Sequence, residues 1–61
     1  MKYEEIKEVI KSLARSQGFY GRQLRFLEEV EKNEEQFEEV KKVLEGQNFK
    51  EPLDIVMWFE S

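Results

Sequence analysis

The stretch YEEIKEVIKSLARS, residues 3–16, spaces its apolar side chains for one face of an α-helix. They recur every three or four residues, with lysines and glutamates opposite, which is the period of an amphipathic helix. These side chains are Tyr3, Ile6, Val9, Ile10 and Leu13. We expect Gly18 to end the helix in the left-handed conformation that glycine adopts easily. The stretch predicts an α-helical domain.

Two further helices are predicted before residue 46. The second runs from Phe19 or Gly21 to Lys32, and we expect its acidic end to fray, because carboxylates oppose the negative end of the helix dipole. Its apolar side chains are Tyr20, Leu24 and Leu27, with Phe19, Phe26 and Val30 beside them. The third runs over Glu34–Glu45, with Asn33 as N-cap and Gln36 completing a capping box. Its apolar side chains are Phe37, Val40, Val43 and Leu44.

A fourth helix is predicted to begin at Pro52, whose fixed φ suits the first helical turn. Leu53, Val56 and Phe59 form its expected inner stripe. Short connections between such helices favour antiparallel packing. The fold class is therefore all-α, a compact antiparallel bundle of three to four short helices, in a single helical domain over residues 1–61.

The composition argues against catalysis. The 61-residue chain has no cysteine and no histidine, so it offers no thiolate, no imidazole base and no common zinc ligand set. The serines lack a base to activate them, and so short a chain has little interior in which to raise the pKa of a carboxyl group. We expect no enzyme activity, no cofactor and no metal.

Charge is distributed unevenly along the chain. The net charge is −4, but residues 1–27 carry +3 and residues 28–61 carry −7. An acidic protein is repelled by nucleic acids and anionic lipids, so a basic protein surface is the expected partner and direct DNA binding is not. The longest apolar run is Ile55–Phe59, which predicts no membrane span and a cytoplasmic location.

Seven glutamates fall between residues 28 and 39, and we call them the acidic cluster. We interpret the cluster as a partner-binding face that resembles the charge density of a phosphate backbone. The alternative is a solvated helix surface that only keeps the protein soluble. Its members are Glu28, Glu29, Glu31, Glu34, Glu35, Glu38 and Glu39.

A second candidate surface lies around the glycines at 18 and 21, and we call it the Arg/aromatic turn. Arginines beside an aromatic residue are typical of interface hot spots. Two helices flanking a glycine turn also resemble a helix-turn-helix, which gives a DNA-binding regulator as an alternative. A third interpretation pairs the arginines with Glu28 or Glu29. The turn comprises Arg15, Phe19, Tyr20, Arg22 and Arg25.

The C-terminal segment PLDIVMWFE, residues 52–60, is apolar on all sides. A helix of this kind must be buried on every face by other parts of the protein, and a small monomer has too little chain to bury it. Met57 and Trp58 are therefore candidates for self-association, giving a homodimer or an assembly factor as an alternative function. The other interpretation makes this the central helix of the monomer.

Three motifs carry a resemblance across nearly the whole chain: YEEIK at Tyr3–Lys7, SLARSQGFYGR at Ser12–Arg22, and the closing segment Pro52–Glu60. With these motifs the sequence resembles small acidic proteins of phages and mobile elements of Gram-positive bacteria. The resemblance implies a non-enzymatic factor in the host cytoplasm that binds a host protein stoichiometrically. An inhibitor of a nucleic-acid-handling defence enzyme, such as an anti-CRISPR protein, is the most specific form of that expectation.

Overall fold

The computed structural model describes residues 1–16 and 18–60, except for the side chain of Phe19. Within them lie four helices: α1 (Tyr3–Ser16), α2 (Phe19–Val30), α3 (Glu34–Gly46) and α4 (Pro52–Glu60). No strand occurs among the described residues. The helices pack into a body of 29 × 23 × 19 Å, which confirms the predicted all-α bundle.

The central helix is α1. It contacts each of the other three helices, and α2 also contacts α3, whereas α4 approaches only α1 at the level of the backbone. The amphipathic stripe of α1 explains this position, because Tyr3, Ile6 and Ile10 are all buried. Around them the core is completed by Leu27, Leu44, Phe49 and Ile55. The interpretation of α4 as the central helix is therefore wrong.

The pair α1 and α2 forms an antiparallel hairpin. The Tyr3 hydroxyl at the start of α1 donates a hydrogen bond of 2.5 Å to Glu31 Oε2, just beyond the end of α2. The Lys7 ammonium lies 2.8 Å from the same carboxylate oxygen. Because the other ends of the two helices are joined near Gly18, these contacts require the helices to lie alongside each other.

Local capping signals place the helix boundaries well. The Asn33 side chain accepts a hydrogen bond of 3.1 Å from the Gln36 amide, so Asn33 is the N-cap of α3 as predicted. The first helical residue of α4 is Pro52, as predicted. At the end of α2, regular helix stops at Val30, two residues before the predicted limit.

The expectation for Gly18 is wrong. Its φ is −56°, in the right-handed region, and no described glycine has a positive φ. The left-handed position is instead Asn48, with φ of 60°, in the segment between α3 and α4. Asparagine tolerates this conformation better than most residues because its short polar side chain can bond locally.

The predicted inner stripe of α4 is also partly wrong. Ile55 is fully buried and Phe59 packs against the core, whereas Leu53 is 56% exposed. The backbone of α4 approaches only α1 among the described helices, and Tyr20 of α2 reaches α4 through its side chain, so Leu53 is left uncovered. Phe26 of α2 and Val43 of α3, which belong to the predicted apolar stripes of their helices, are 54% and 53% exposed.

Candidate functional site

Four members of the acidic cluster form a row on α3, and we call them the α3 acidic row: Glu34, Glu35, Glu38 and Glu39. They lie one helical turn apart in pairs, are exposed, and border a shallow depression together with Gln36. Within the described part of the chain none of the four forms an ion pair. Their charge is therefore available to a partner.

The other three members of the acidic cluster lie at the end of α2. Glu28 is exposed, and Glu29 pairs with Lys32 at 3.3 Å on the surface. Glu31 lies at the surface but its carboxylate is engaged by Lys7 and Tyr3, and these hydrogen bonds lower the pKa of its carboxyl group. Glu31 therefore joins α1 to the end of α2, and we exclude it from the partner-binding face.

The Arg/aromatic turn does not present an aromatic ring at Tyr20. That side chain is fully buried, and its ring meets the Phe59 ring edge-on at 6.2 Å. Its hydroxyl donates a long hydrogen bond, 3.5 Å, to Glu60 Oε1. The assignment of Tyr20 to a binding surface is thus wrong, because the side chain is buried by packing against α4. The prediction for the Phe19 side chain lies outside the described residues.

The three arginines of the turn, Arg15, Arg22 and Arg25, are exposed. The ion pairs of the described residues use lysines, so the interpretation that pairs these arginines with Glu28 or Glu29 finds no contact there. The antiparallel hairpin also differs from a helix-turn-helix, whose two helices cross steeply so that the second can enter the major groove. This geometry gives the DNA-binding alternative no support.

An apolar groove opens where α2, α3 and α4 face one another. It has a volume of about 700 Å³. The buried side chains of Leu27 and Leu44 form its floor. Three exposed side chains form its walls: Phe26, Val43 and Trp58. The groove exists because α4 packs on α1 and leaves the facing sides of α2 and α3 uncovered.

The groove and the α3 acidic row are continuous. Glu39 borders both the groove and the depression that contains the rest of the row. Lys42 and Gln23 are the other polar side chains at the groove. An apolar surface and an unpaired carboxylate surface therefore meet along one side of α3.

Sequence reasoning missed the groove, because it assigned Phe26 and Val43 to the apolar stripes of their helices without indicating that these positions stay exposed. The available signal was the width of the apolar face of α2, which carries apolar residues on two neighbouring stripes. One adjacent helix covers only one such stripe. An apolar face too wide for its neighbours predicts an exposed patch.

The outer surface of α4 exposes Leu53 and, at 62%, Met57. Trp58 is 39% exposed and contacts two rings edge-on, with centroids 5.9 Å from Phe49 and 4.9 Å from Phe59. Of the two residues predicted for self-association, Met57 thus points to solvent and Trp58 forms part of the groove.

Comparisons with protein-family models, curated proteins and solved structures find no match to this chain. Across residues 1–16 and 18–60, acidic side chains do not gather in a group of three or more that could hold a metal ion. None of the helices described here is both long enough and apolar enough to cross a membrane.

Proposed function

We propose that this chain is a non-enzymatic protein-binding factor that acts by stoichiometric contact with a basic surface on another protein. The observation that supports the proposal most strongly is the groove, where Phe26, Val43 and Trp58 are exposed together beside Glu39. Exposed apolar side chains that cluster in a concave surface and are rimmed by polar residues are typical of interaction sites.

Charge supports the choice of a basic partner. The α3 acidic row offers four carboxylates that form no ion pair with any described residue, and the part of the chain from residue 28 onward has a net charge of −7. Complementary charge steers a partner to the surface and fixes its orientation. The resemblance to phage and mobile-element proteins directs the proposal to a nucleic-acid-handling host enzyme, which the bound chain would inhibit in the host cytoplasm.

The test is affinity capture on the immobilised chain, using a nucleic-acid-depleted extract of a Gram-positive bacterium. The double variant Glu35→Lys with Glu38→Lys is expected to lose the partner that the wild type retains. Raising the salt concentration should release that partner, because screening weakens contacts between exposed charges.

The matched control is Glu4→Lys with Glu8→Lys on α1. Both double variants raise the net charge from −4 to zero; they differ in where the charge is reversed, and the control also removes the surface ion pair between Glu8 and Lys11. The control should retain the partner. Retention by the α3 variant, or loss from both variants, would contradict the proposal.

A second candidate function is homo-oligomeric assembly, favoured by the exposure of Met57 and Trp58. Light scattering at high micromolar concentration, with and without a short DNA duplex and at two salt concentrations, separates these possibilities. A dimer that Met57→Gln dissociates would favour assembly, whereas a monodisperse monomer would count against it. A DNA-bound species would instead favour the DNA-binding alternative, with the exposed arginines of the Arg/aromatic turn as the contact residues.

A further inference from the structure

We infer that the groove binds an amphipathic helix of the partner, with the apolar side of that helix on Phe26, Val43 and Trp58 and basic side chains along one flank. This inference rests on the proposed function and specifies the partner segment. Helix-in-groove recognition uses apolar anchors spaced one turn apart on the bound helix.

The site favours a bound helix over an added strand. A peptide that binds as an added strand gains its affinity from main-chain hydrogen bonds to a sheet edge. The part of the chain that the structure describes has no strand and hence no such edge. The walls of the groove are helices, and a guest helix of about three turns is roughly 16 Å long, which is shorter than the 29 Å longest dimension of the molecule.

The charges along α3 specify the flank of the guest helix. Glu35, Glu38 and Glu39 precede Lys42 along the helix, and Glu39 and Lys42 border the groove itself. Basic residues of the guest are therefore complementary to the first two turns of α3. A neutral or acidic residue suits the position near Lys42.

A second copy of the chain is a poorer occupant. Its exposed apolar helix, α4, offers Leu53 and Met57, and its nearby charges are one lysine, Lys50, and three carboxylates, those of Glu51, Asp54 and Glu60. Docking α4 into the groove would bring these carboxylates toward Glu39 and the rest of the α3 acidic row. Like charges that meet across an interface oppose association, so the charges favour a basic partner over the chain itself.

The test uses three synthetic 14-residue peptides without aromatic residues. The first has leucines at helical spacing and lysines elsewhere, the second replaces the lysines by glutamates, and the third scrambles the first. Trp58 is the single tryptophan of the chain and lies in the groove, so its fluorescence reports occupancy. The first peptide should shift its emission to shorter wavelength, and the other two should bind at least tenfold more weakly.

Variants locate the bound peptide. Phe26→Gln and Val43→Gln should each weaken binding about tenfold, since each removes an apolar contact worth more than a kcal/mol. Leu53→Gln is the matched control, because Leu53 is as exposed as Val43 but lies outside the groove; it should change affinity less than twofold. Circular dichroism checks that each variant remains helical. If Phe26→Gln does not fold, Val43→Gln alone tests whether the peptide binds in the groove.

The outcomes separate this inference from the proposed function. If Glu35→Gln with Glu39→Gln abolishes binding while the groove variants have no effect, the groove is not the site but the basic-partner proposal stands. If the groove variants abolish binding and the carboxylate variants have no effect, the partner does not need to be basic. That result would contradict both the proposed function and this inference. Absence of binding by the first peptide, equal binding of all three, or a dimer that Phe26→Gln dissociates overturns the inference.

Discussion

At the scale of single residues, Glu31 connects the start of α1 to the end of α2. Its carboxylate accepts hydrogen bonds from Lys7 at 3.0 Å and from Tyr3 at 2.5 Å. These contacts lower the pKa of Glu31, and burial together with the same carboxylate raises the pKa of Tyr3. Both shifts make the stability of the fold depend on pH.

Glu31 predicts a loss of stability in acid. Its folded pKa lies below its unfolded value of about 4.3, so its contribution is complete above that pH and disappears as the pH falls through the folded pKa. Tyr3 has the opposite sign, so its contribution is lost as the pH rises beyond its unfolded pKa of about 10. Thermal melts followed by circular dichroism from pH 2 to 11 should show a plateau between these limits.

The variant Glu31→Gln should flatten the acidic side of that profile, because the residue can no longer titrate. Glu29→Gln is the control, since Glu29 forms a surface ion pair with Lys32 in which both side chains are 73% exposed. An unchanged acidic limb in Glu31→Gln would show that other carboxyl groups cause the loss.

At the scale of helices, Asp54 fixes the beginning of α4. Its Oδ2 accepts hydrogen bonds from the backbone amides of Lys50, at 2.8 Å, and Glu51, at 3.1 Å. These bonds lower the pKa of Asp54 and satisfy amides that precede the first helical turn. The side chain therefore ties the segment between α3 and α4 to the helix that follows.

Replacing Asp54 by alanine should lower the melting temperature, because the two hydrogen bonds that cap the start of α4 are lost. In a chain of this size the loss of a helix cap corresponds to a fall of roughly 4–8 °C. Glu51→Ala is the control, because it removes a nearby negative charge while the capping bonds remain. Equal falls in both variants would assign the effect to charge near the helix N-terminus and not to the cap.

Helix positions were predictable from the sequence because their signals are local. Asn33 and Pro52 act on amides and backbone angles within a few residues, so each marks a boundary without reference to the rest of the fold. Gly18 was misjudged because a glycine permits a left-handed conformation without requiring it. Asn48 takes that conformation where no pattern in the sequence indicated it.

The candidate site was predictable only in part. The α3 acidic row follows from the i,i+4 spacing of its glutamates within one helix, and this spacing can be read from the sequence. The exposure of Phe26 and Val43 depends on α4 packing against α1, a contact between distant segments that periodicity does not report. The removal of Glu31 from the acidic cluster likewise depends on Tyr3 and Lys7, which are distant in sequence.

At the scale of the whole molecule, stability depends on few side chains. A domain below about 70 residues seldom gains more than 3–5 kcal/mol from its core. Ile10 is fully buried in the stripe of α1 that supports the other helices. Replacing it by alanine should cost about 2–5 kcal/mol, comparable with the entire free energy of unfolding.

Ile10→Ala should therefore be largely unfolded at 25 °C, with a strong loss of the helical circular dichroism signal at 222 nm. Leu53→Ala, on the exposed side of α4, should change the free energy of unfolding by less than about 0.5 kcal/mol. A cooperative melt of Ile10→Ala close to that of the wild type would show that the core extends beyond the α1 stripe.

The central place of α1 also orders the formation of the fold in time. The α1–α2 hairpin closes over a short turn, whereas α4 must return to α1 across the intervening helices. Closing a short loop loses less chain entropy, so the hairpin is expected to form early and the docking of α4 to come late. The wall that holds Trp58 is therefore expected to be the last part of the groove to form, and detachment of α4 would remove that wall while the α1–α2 hairpin stays in place.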